Sequence, residues 1–323
     1  MTTMNSAAPA SVARDGDHDP PASRAEGRRR QRRRNNLLGW LYCTPFLLAF
    51  FLFLIWPTVY GIWMSFTGVS LAGTNDHFIG LDNWVEAFGD PEVWSSLWNT
   101  LVFTLLSSVP LVLVALVLAI LVNIGLPGQW FWRLSFFMPY LLASTVISQF
   151  WVWMLNPQLG LVNTVLGWVG IEPIAWLQDP STAMISVVLA TVWWTVGFNF
   201  LLYLTALQNI PDQLYEAASL DGAGTRRKLV SITLPQLAPI TVLVLVLQLL
   251  ASLKVFDQIF QMTGGGPAGA TRPILQYVYE AGFTGYRLGY ASAVSYIFFF
   301  LIILISIAYM VISTRTTKRS VQA

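Results

Sequence analysis

Charge is what this sequence has least of. Asp, Glu, Lys and Arg make up only 11% of 323 residues, against 55% hydrophobic, too few to clothe a soluble globule of this size. Cysteine is reduced to Cys43, so an intramolecular disulfide is impossible and nothing suggests redox or thiol-metal chemistry. Two histidines, His18 and His77, leave sparse material for the convergent acid–base or metal site of a membrane-embedded enzyme. The one glycine run, Gly264 to Gly266, leads into Pro267. A phosphate-cradling loop needs Lys-Ser or Lys-Thr opening a helix, so no nucleotide or other cofactor is expected on this chain.

What is present in abundance is long apolar runs. Six can cross a hydrocarbon core of about 30 Å as helices of roughly 20 residues. They lie near 38–66, 100–124, 132–154, 184–207, 239–259 and 290–312. Each is nearly continuous rather than alternating, which excludes barrel strands. The expected fold class is all-α, a polytopic membrane protein with six transmembrane helices. The internal Pro45, Pro57, Pro110 and Pro139 are tolerable where neighbouring groups satisfy the freed carbonyls.

Lys and Arg are asymmetric along the chain, which sets orientation. Eight arginines precede residue 36, seven of them from Arg24 to Arg34; Arg133, Arg226, Arg227, Lys228, Arg315, Lys318 and Arg319 fall on the same side. The opposite loops 67–99 and 155–183 carry no Lys or Arg. Both termini are therefore expected in the cytoplasm. Residues 1–36 lack large apolar side chains and read as a disordered basic tail, followed by the membrane domain 37–316 and a short tail, 317–323. The run R-R-R-Q-R-R-R before Leu37 suits an inside anchor touching anionic lipid, with no cleavage site behind it for an export signal and no call for nucleic acid.

One polar island breaks the apolar pattern. Residues 209–235 read as two short helices with a turn between them: Pro211 and Asp212 suit a first turn, Leu214 and Ala218 share a face, and Gly222 and Gly224 permit a change of direction. Thr225 is placed to cap a second basic helix through Ile232, which Pro235 should stop before the fifth span. The small Ala217, Ala218 and Ala223 allow another surface to approach closely, and Glu216 offers a carboxylate. An ordinary interfacial amphipathic helix would explain the polarity as well.

In detail this island closely resembles the cytoplasmic EAA loop of ABC-type importer permeases. Glu216, Ala217, Ala218, Asp221, Gly222, Ala223, Ile232, Leu234, Pro235 and Pro239 fall in the family register; Leu229 stands where an aromatic is usual. The segments 78–84, F-I-G-L-D-N-W, and 256–267, F-D-Q-I-F-Q-M-T-G-G-G-P, resemble external loops of carbohydrate permeases. The resemblance implies a type I ABC importer permease fold in a bacterial plasma membrane. It further implies that Glu216, Ala217, Ala218, Asp221, Gly222, Ala223, Leu229 and Pro235 couple to a separate ATPase, present in two copies, which binds ATP and Mg. A second six-helix permease subunit and an extracytoplasmic sugar-binding protein complete the expected partners. An ion-coupled secondary transporter or channel would need mid-span carboxylates or inverted repeats, and neither is evident.

Depth along the helices locates a candidate cargo path. Gln248 falls roughly 14 Å into the fifth span, with Ser252 one turn farther out. Trp193, Trp194 and Thr195 come to a similar depth in the fourth, with Phe198 and Asn199 a turn inward. Aromatic faces with a few amides and hydroxyls suit a sugar, though these residues serve equally to pack and hydrogen-bond helices together. Lys254 and Asp257, three apart, are expected to pair on one face near the outer interface.

Overall fold

The computed structural model describes residues 39–73, 77–125 and 127–322, with side-chain positions as far as residue 307. The tail predicted for 1–36 lies outside them. The chain divides into two units, Met1–Tyr60 and Gly61–Ala323. In the first, helix α1 begins at Gly39 and runs on to Ser65. Its residues are apolar all round and none up to Tyr60 is buried, the pattern of a helix whose solvent is lipid. A π-turn at Phe51–Ile55 widens the helix just ahead of Pro57, relieving the clash of its ring with the preceding turn.

The second unit holds α2 (Asp82–Gly89), α3 (Pro91–Asn123), α4 (Gln129–Leu141), α5 (Ser144–Met154), α6 (Leu161–Trp168) and α7 (Pro180–Gln208). Then come α8 (Asp212–Leu220), α9 (Thr225–Leu253), α10 (Asp257–Met262), α11 (Ile274–Tyr279) and α12 (Leu288–Gln322). No strand occurs among the described residues; Thr67 and Phe78 form an isolated bridge. Among the described residues, five helices are long and apolar enough to cross a membrane, and six spans result if α4 and α5 count as one.

Two long helices start on the same device. Asp90 and Asp179 each accept a hydrogen bond from the backbone N–H two residues on, at 2.9 and 2.8 Å, with Pro91 and Pro180 in the first turn. The side chain satisfies an orphan amide and the proline supplies none that needs satisfying. This places the starts of α3 and α7 nine and four residues ahead of the predicted spans. The Ser181 hydroxyl and amide together hold the Asp179 carboxyl below its ordinary range.

The third predicted span, 132–154, is not one rod. It is bent by 100° between α4 and α5, because Pro139 interrupts the ladder and Leu142 and Ala143 become extended. Pro235 does not end a helix either. A π-turn at Leu229–Thr233 absorbs it, and α9 continues through the polar island to Leu253, so the fifth span stops short of the predicted residue 259. The predicted sixth span lies within α12, which includes the expected tail as far as Gln322.

Packing follows the small and apolar faces of α3, α7 and α9. Leu111, Ala115 and Ala119 of α3 meet Phe200, Tyr203 and Leu204 of α7 and Leu237 and Val244 of α9. At Gly197 a Cβ would lie 2.3 Å from the Phe136 carbonyl oxygen; only glycine lets α7 touch the α4 backbone there. A separate cluster joins Val93 and Leu97 to Ile274, Tyr290, Val294 and Phe298, against which α2 is also seated through Ala87.

Candidate functional site

The polar island is built as a clasp. Helix α8 closes with the backbone pattern of a Schellman motif: Ala223 N–H donates to Ala218 O at 2.8 Å and Gly222 N–H to Ser219 O at 3.0 Å. That closure needs a left-handed residue after the cap, and Gly222 supplies it at φ +75°. The Asp-Gly-Ala triplet thus has a local structural reason. Gly224 is the N-cap of α9, with ordinary backbone and no side-chain cap; Thr225 is the first helical residue, not the cap.

Two side-chain contacts that the sequence did not single out fix α8 against α9. Tyr215 Oη lies 3.0 Å from Thr233 Oγ1, and Lys228 Nζ donates to Ser219 Oγ at 2.6 Å. Tyr215 also packs into the core beside α3 and α7. With that face anchored, Glu216, Ala217, Leu220, Asp221, Gly222 and Pro235 are exposed, and Ala218, Ala223 and Leu229 are half-buried. Glu216 and Asp221 make no side-chain hydrogen bond or ion pair among the described residues. Leu220, 91% exposed, ends the helix as an uncovered apolar knob. A rigid face with free carboxylates, small side chains and one bare leucine is equipped to receive another protein.

A second site lies between α3, α7 and α9. Asn199 Nδ2 donates to Gln248 Oε1 at 3.0 Å, Gln248 Nε2 to Ser252 Oγ at 2.9 Å, and Ser107 Oγ to Ser252 Oγ at 3.0 Å. All four residues are buried, so they form a polar column through an apolar interface. Beside the column is a cavity of about 210 Å³ whose walls include Trp194, Thr195, Gln248 and Ser252.

Of the six predicted path residues, Trp194, Gln248 and Ser252 meet at this cavity, and Asn199 supports Gln248 from behind. Trp193 and Phe198 point elsewhere. Trp193 stacks on Phe150 at 5.9 Å and meets Trp151 edge-on, and Phe198 stacks on Tyr140 at 5.4 Å, so both pack against the bent α4–α5 pair. Sequence reasoning missed Thr191 and Gln258, which line the cavity and bond to each other. The signal was available only as two polar residues in apolar surroundings.

Lys254 and Asp257 do not pair as expected. Helix α9 ends at Leu253 and α10 starts at Asp257, so the two are not three apart on one helix. Neither takes part in an ion pair among the described residues.

The loop ends opposite the island are joined by polar contacts. Asp90 Oδ2 accepts from the Tyr277 and Tyr290 hydroxyls, Arg272 contacts Glu92 and Glu280, and Arg287 contacts Glu86. Asn99 Nδ2 donates to Gly269 O at 2.8 Å and Arg272 O at 3.1 Å. Asn83 in the 78–84 segment donates to Ser65 O and Thr67 O at 3.0 and 2.9 Å. Asn83 thus ties the 78–84 segment to the end of α1 at Ser65, whereas the Asn99 contacts fall just beyond the 256–267 segment.

Residues 87–319 match the family model described as binding-protein-dependent transport system inner membrane component. The chain is 35% identical over 280 residues to the probable ABC transporter permease protein YurN of Bacillus subtilis, covering 85% of this chain and 96% of that one. It is 36% identical to the sn-glycerol-3-phosphate transport system permease protein UgpA of Shigella flexneri, covering 85% and 93%. Among solved structures, a bacterial ABC transporter involved in import of the acidic polysaccharide alginate superimposes with a TM-score of 0.79 at 25% identity, covering 89% of this chain and 99% of that one.

Proposed function

Since this chain belongs to the family of binding-protein-dependent transport system inner membrane components, we propose that it works as one half of a membrane pathway driven through residues 209–235 by a separate ATPase. The protein is a multi-pass permease subunit of a sugar importer of the ABC type. Its cargo is a sugar or sugar derivative, delivered by an extracytoplasmic sugar-binding protein. A second six-helix permease completes the pathway, two ATPase subunits bind ATP and Mg, and both termini face the cytoplasm with the island.

The observation that carries this reading is the continuity of α9. Its first turn belongs to the polar island and its far end carries Gln248 and Ser252. Helix α8 is pinned to that rod by Tyr215–Thr233 and Lys228–Ser219. A displacement imposed on the face of Glu216, Ala217, Ala218, Asp221, Gly222 and Ala223 therefore moves a lever, with Leu229 in its π-turn and Pro235 just beyond it, and reaches the cavity walls. In the cavity Trp194, Gln248 and Ser252 would meet the cargo; Asn199 positions Gln248, and Trp193 and Phe198 brace the wall through α4 and α5.

A cysteine at Leu220, in a Cys43→Ser background, tests the coupling. In the assembled importer it should crosslink to the ATPase, with a yield that changes on adding nucleotide. Unimpaired ATP-driven uptake with no such adduct, from Leu220 or from Glu216 replaced likewise, would remove the basis for the reading. Uptake driven by an ion gradient without ATP would point to a secondary transporter instead.

A further inference from the structure

The start of α4 leaves a cation beside an apolar face without a counter-charge. Ala119 and Val122 in the last turns of α3 pack with Leu207, Ile210 and Leu237, and Tyr215 of the island lies against them. Residues 124–128 then turn the chain, so α4 sets out from the island end of the bundle. Its half-buried face carries Gln129, Arg133, Phe136 and Phe137, and Phe136 meets Phe200 of α7 edge-on. Its outer face exposes Trp130, Phe131, Leu134 and Met138, a surface whose natural solvent is hydrocarbon. Arg133 has no carboxylate within ion-pair reach among the described residues. Its Nη2 donates to Gln129 Oε1 at 3.2 Å, and the residue as a whole is only half-buried. That bond draws the guanidinium back toward the first residue of the helix, about 6 Å nearer its start at 1.5 Å per residue. An amide oxygen accepts a hydrogen bond but does not neutralise a cation, and a charge at the edge of hydrocarbon is costly without a counter-ion. At the opposite end of the molecule Arg272 and Arg287 are each met by a carboxylate.

We propose that α4 is the docking site of an anionic phospholipid: Arg133, oriented by Gln129, holds its phosphodiester, and Trp130, Phe131 and Leu134 lie along its acyl chains. The cytoplasmic leaflet follows from the reading that the island faces the cytoplasm. The planar fork of guanidinium N–H groups matches phosphate oxygens in pairs. The apolar face beside that cation gives the chains a place to lie, which free phosphate could not use. Trp132 spends its Nε1 on Pro127 O at 3.3 Å, whereas Trp130 is 71% exposed and its indole N–H has no partner among the described residues, leaving it for an ester or glycerol oxygen as in membrane-interface tryptophans. Net charge selects the headgroup. A zwitterionic lipid brings its own ammonium and leaves the charge of Arg133 uncompensated, while a lipid with a net negative headgroup balances it. The same helix touches α7 at Gly197 through Phe136, and just past its end Leu142 O accepts from Trp194 Nε1 at 3.2 Å. The lipid therefore holds one end of an element whose other end bears on the cavity wall.

The assembled importer, purified in mild detergent, is titrated with phosphatidylglycerol and with phosphatidylcholine of identical chains, and bound lipid is read by native mass spectrometry. Phosphatidylglycerol should bind about fivefold more tightly or better. Arg133→Gln should bring the two lipids within about twofold of each other, and Arg133→Lys, which keeps the charge but not the fork, should fall between. In nanodiscs, phosphatidylglycerol with a photoreactive acyl chain should label residues 129–138. Assembly and basal ATP hydrolysis check folding; where Arg133→Gln does not assemble, the preference and the label map of the unaltered complex decide. Equal affinity for both lipids in the unaltered complex, a preference that survives in folded Arg133→Gln, displacement of the lipid by excess inorganic phosphate, or labels confined to other segments would each overturn the proposal. The last is the result expected if a second protein covers α4. Leu220→Cys in the Cys43→Ser background reports orientation separately: labelling from outside intact cells by an impermeant maleimide would refute the cytoplasmic island and move the lipid to the outer leaflet, with its site on α4 unchanged.

Discussion

Replacing Asn199 by Leu breaks the polar column at its first link, and the consequence can be worked from the contacts. Gln248 Oε1 would lose its 3.0 Å donor while remaining buried at 8% exposure. In water-soluble interiors an orphaned acceptor costs about 1–3 kcal/mol. Within a membrane the unfolded helices also find partners, and measured interhelical bonds average about 0.6 kcal/mol with a maximum near 1.7. Gln248→Leu strands Asn199 Nδ2 in the same way and releases Ser252. Each single change should therefore destabilise by about 1 kcal/mol. The double variant removes both ends of the bond, so its cost should fall below the sum of the singles by about 0.6–1.7 kcal/mol. Steric trapping of the reconstituted complex in bilayers resolves such differences, since about 1.4 kcal/mol is a tenfold change in the equilibrium. Additivity within about 0.3 kcal/mol would show that the two amides do not depend on each other and that the column is not a structural unit.

Gly197→Ala should lower stability by about 1–3 kcal/mol through overpacking, read as a fall in the melting temperature, because the new methyl meets the backbone of Phe136 rather than a movable side chain. Gly167→Ala, where nothing lies within 4 Å, should be neutral or slightly stabilising in the same assay. Gly222→Val forces a β-branched residue to φ +75° at a local cost of about 1–2 kcal/mol. Receptor-stimulated ATP hydrolysis and uptake should fall together while the membrane core melts as before; unchanged stimulation would mean the α8 turn does not have to hold its shape. Asp90→Ala removes a helix cap worth about 1 kcal/mol and the acceptor of two phenol hydroxyls, each worth about 1.5 kcal/mol or more with a charged partner. A loss of roughly 4 kcal/mol should follow, measured by denaturant titration of the complex.

The helical content and the loop signals were legible because they depend on local chemistry. Apolar runs of sufficient length located the spans found among the described residues, but the hydropathy pattern placed the starts of α3 and α7 too late, because the Asp-Pro pairs at 90–91 and 179–180 set them earlier. The register of Glu216 through Pro239 identified the island, and Gly222 has a conformation that explains its presence. Tertiary choices were not legible. Pro235 looks like a stop, yet a π-turn shifts the backbone bonds enough to carry the helix past it. No glycine or proline announces the end of α9 at Leu253. Packing of Ile259 and Met262 beside Met184, Val187 and Leu155 turns the chain there, and those contacts are far apart in sequence. The same turn separated Lys254 from Asp257. Trp193 and Trp194 are adjacent letters of equal character, and only the position of α5 sends one ring into helix packing and the other to the cavity.

The proposed lever also has to yield somewhere, and its construction says where. From Gly224 to Gln248 a helix spans about 36 Å at 1.5 Å per residue. Along that length the backbone ladder is weakened twice, by the π-turn at Leu229–Thr233 and by Pro239, which has no N–H to offer the carbonyl four residues before it. Both weak points lie between α8 and the polar column. Beyond them, Gln248 and Ser252 tie the helix to α7 and α3, and Val244 and Leu253 are fully packed. A push at α8 would therefore bend the helix near residues 229–239 and turn the outer segment with its bonded partners, rather than drag it past them. Breaking the column should then uncouple the two ends: an Asn199→Leu importer would keep receptor-stimulated ATP hydrolysis but move less cargo per ATP than the unaltered complex. If transport per ATP stays constant in that variant, the outer segment moves without the column, and the transmission must pass through the apolar contacts of α3, α7 and α9 instead.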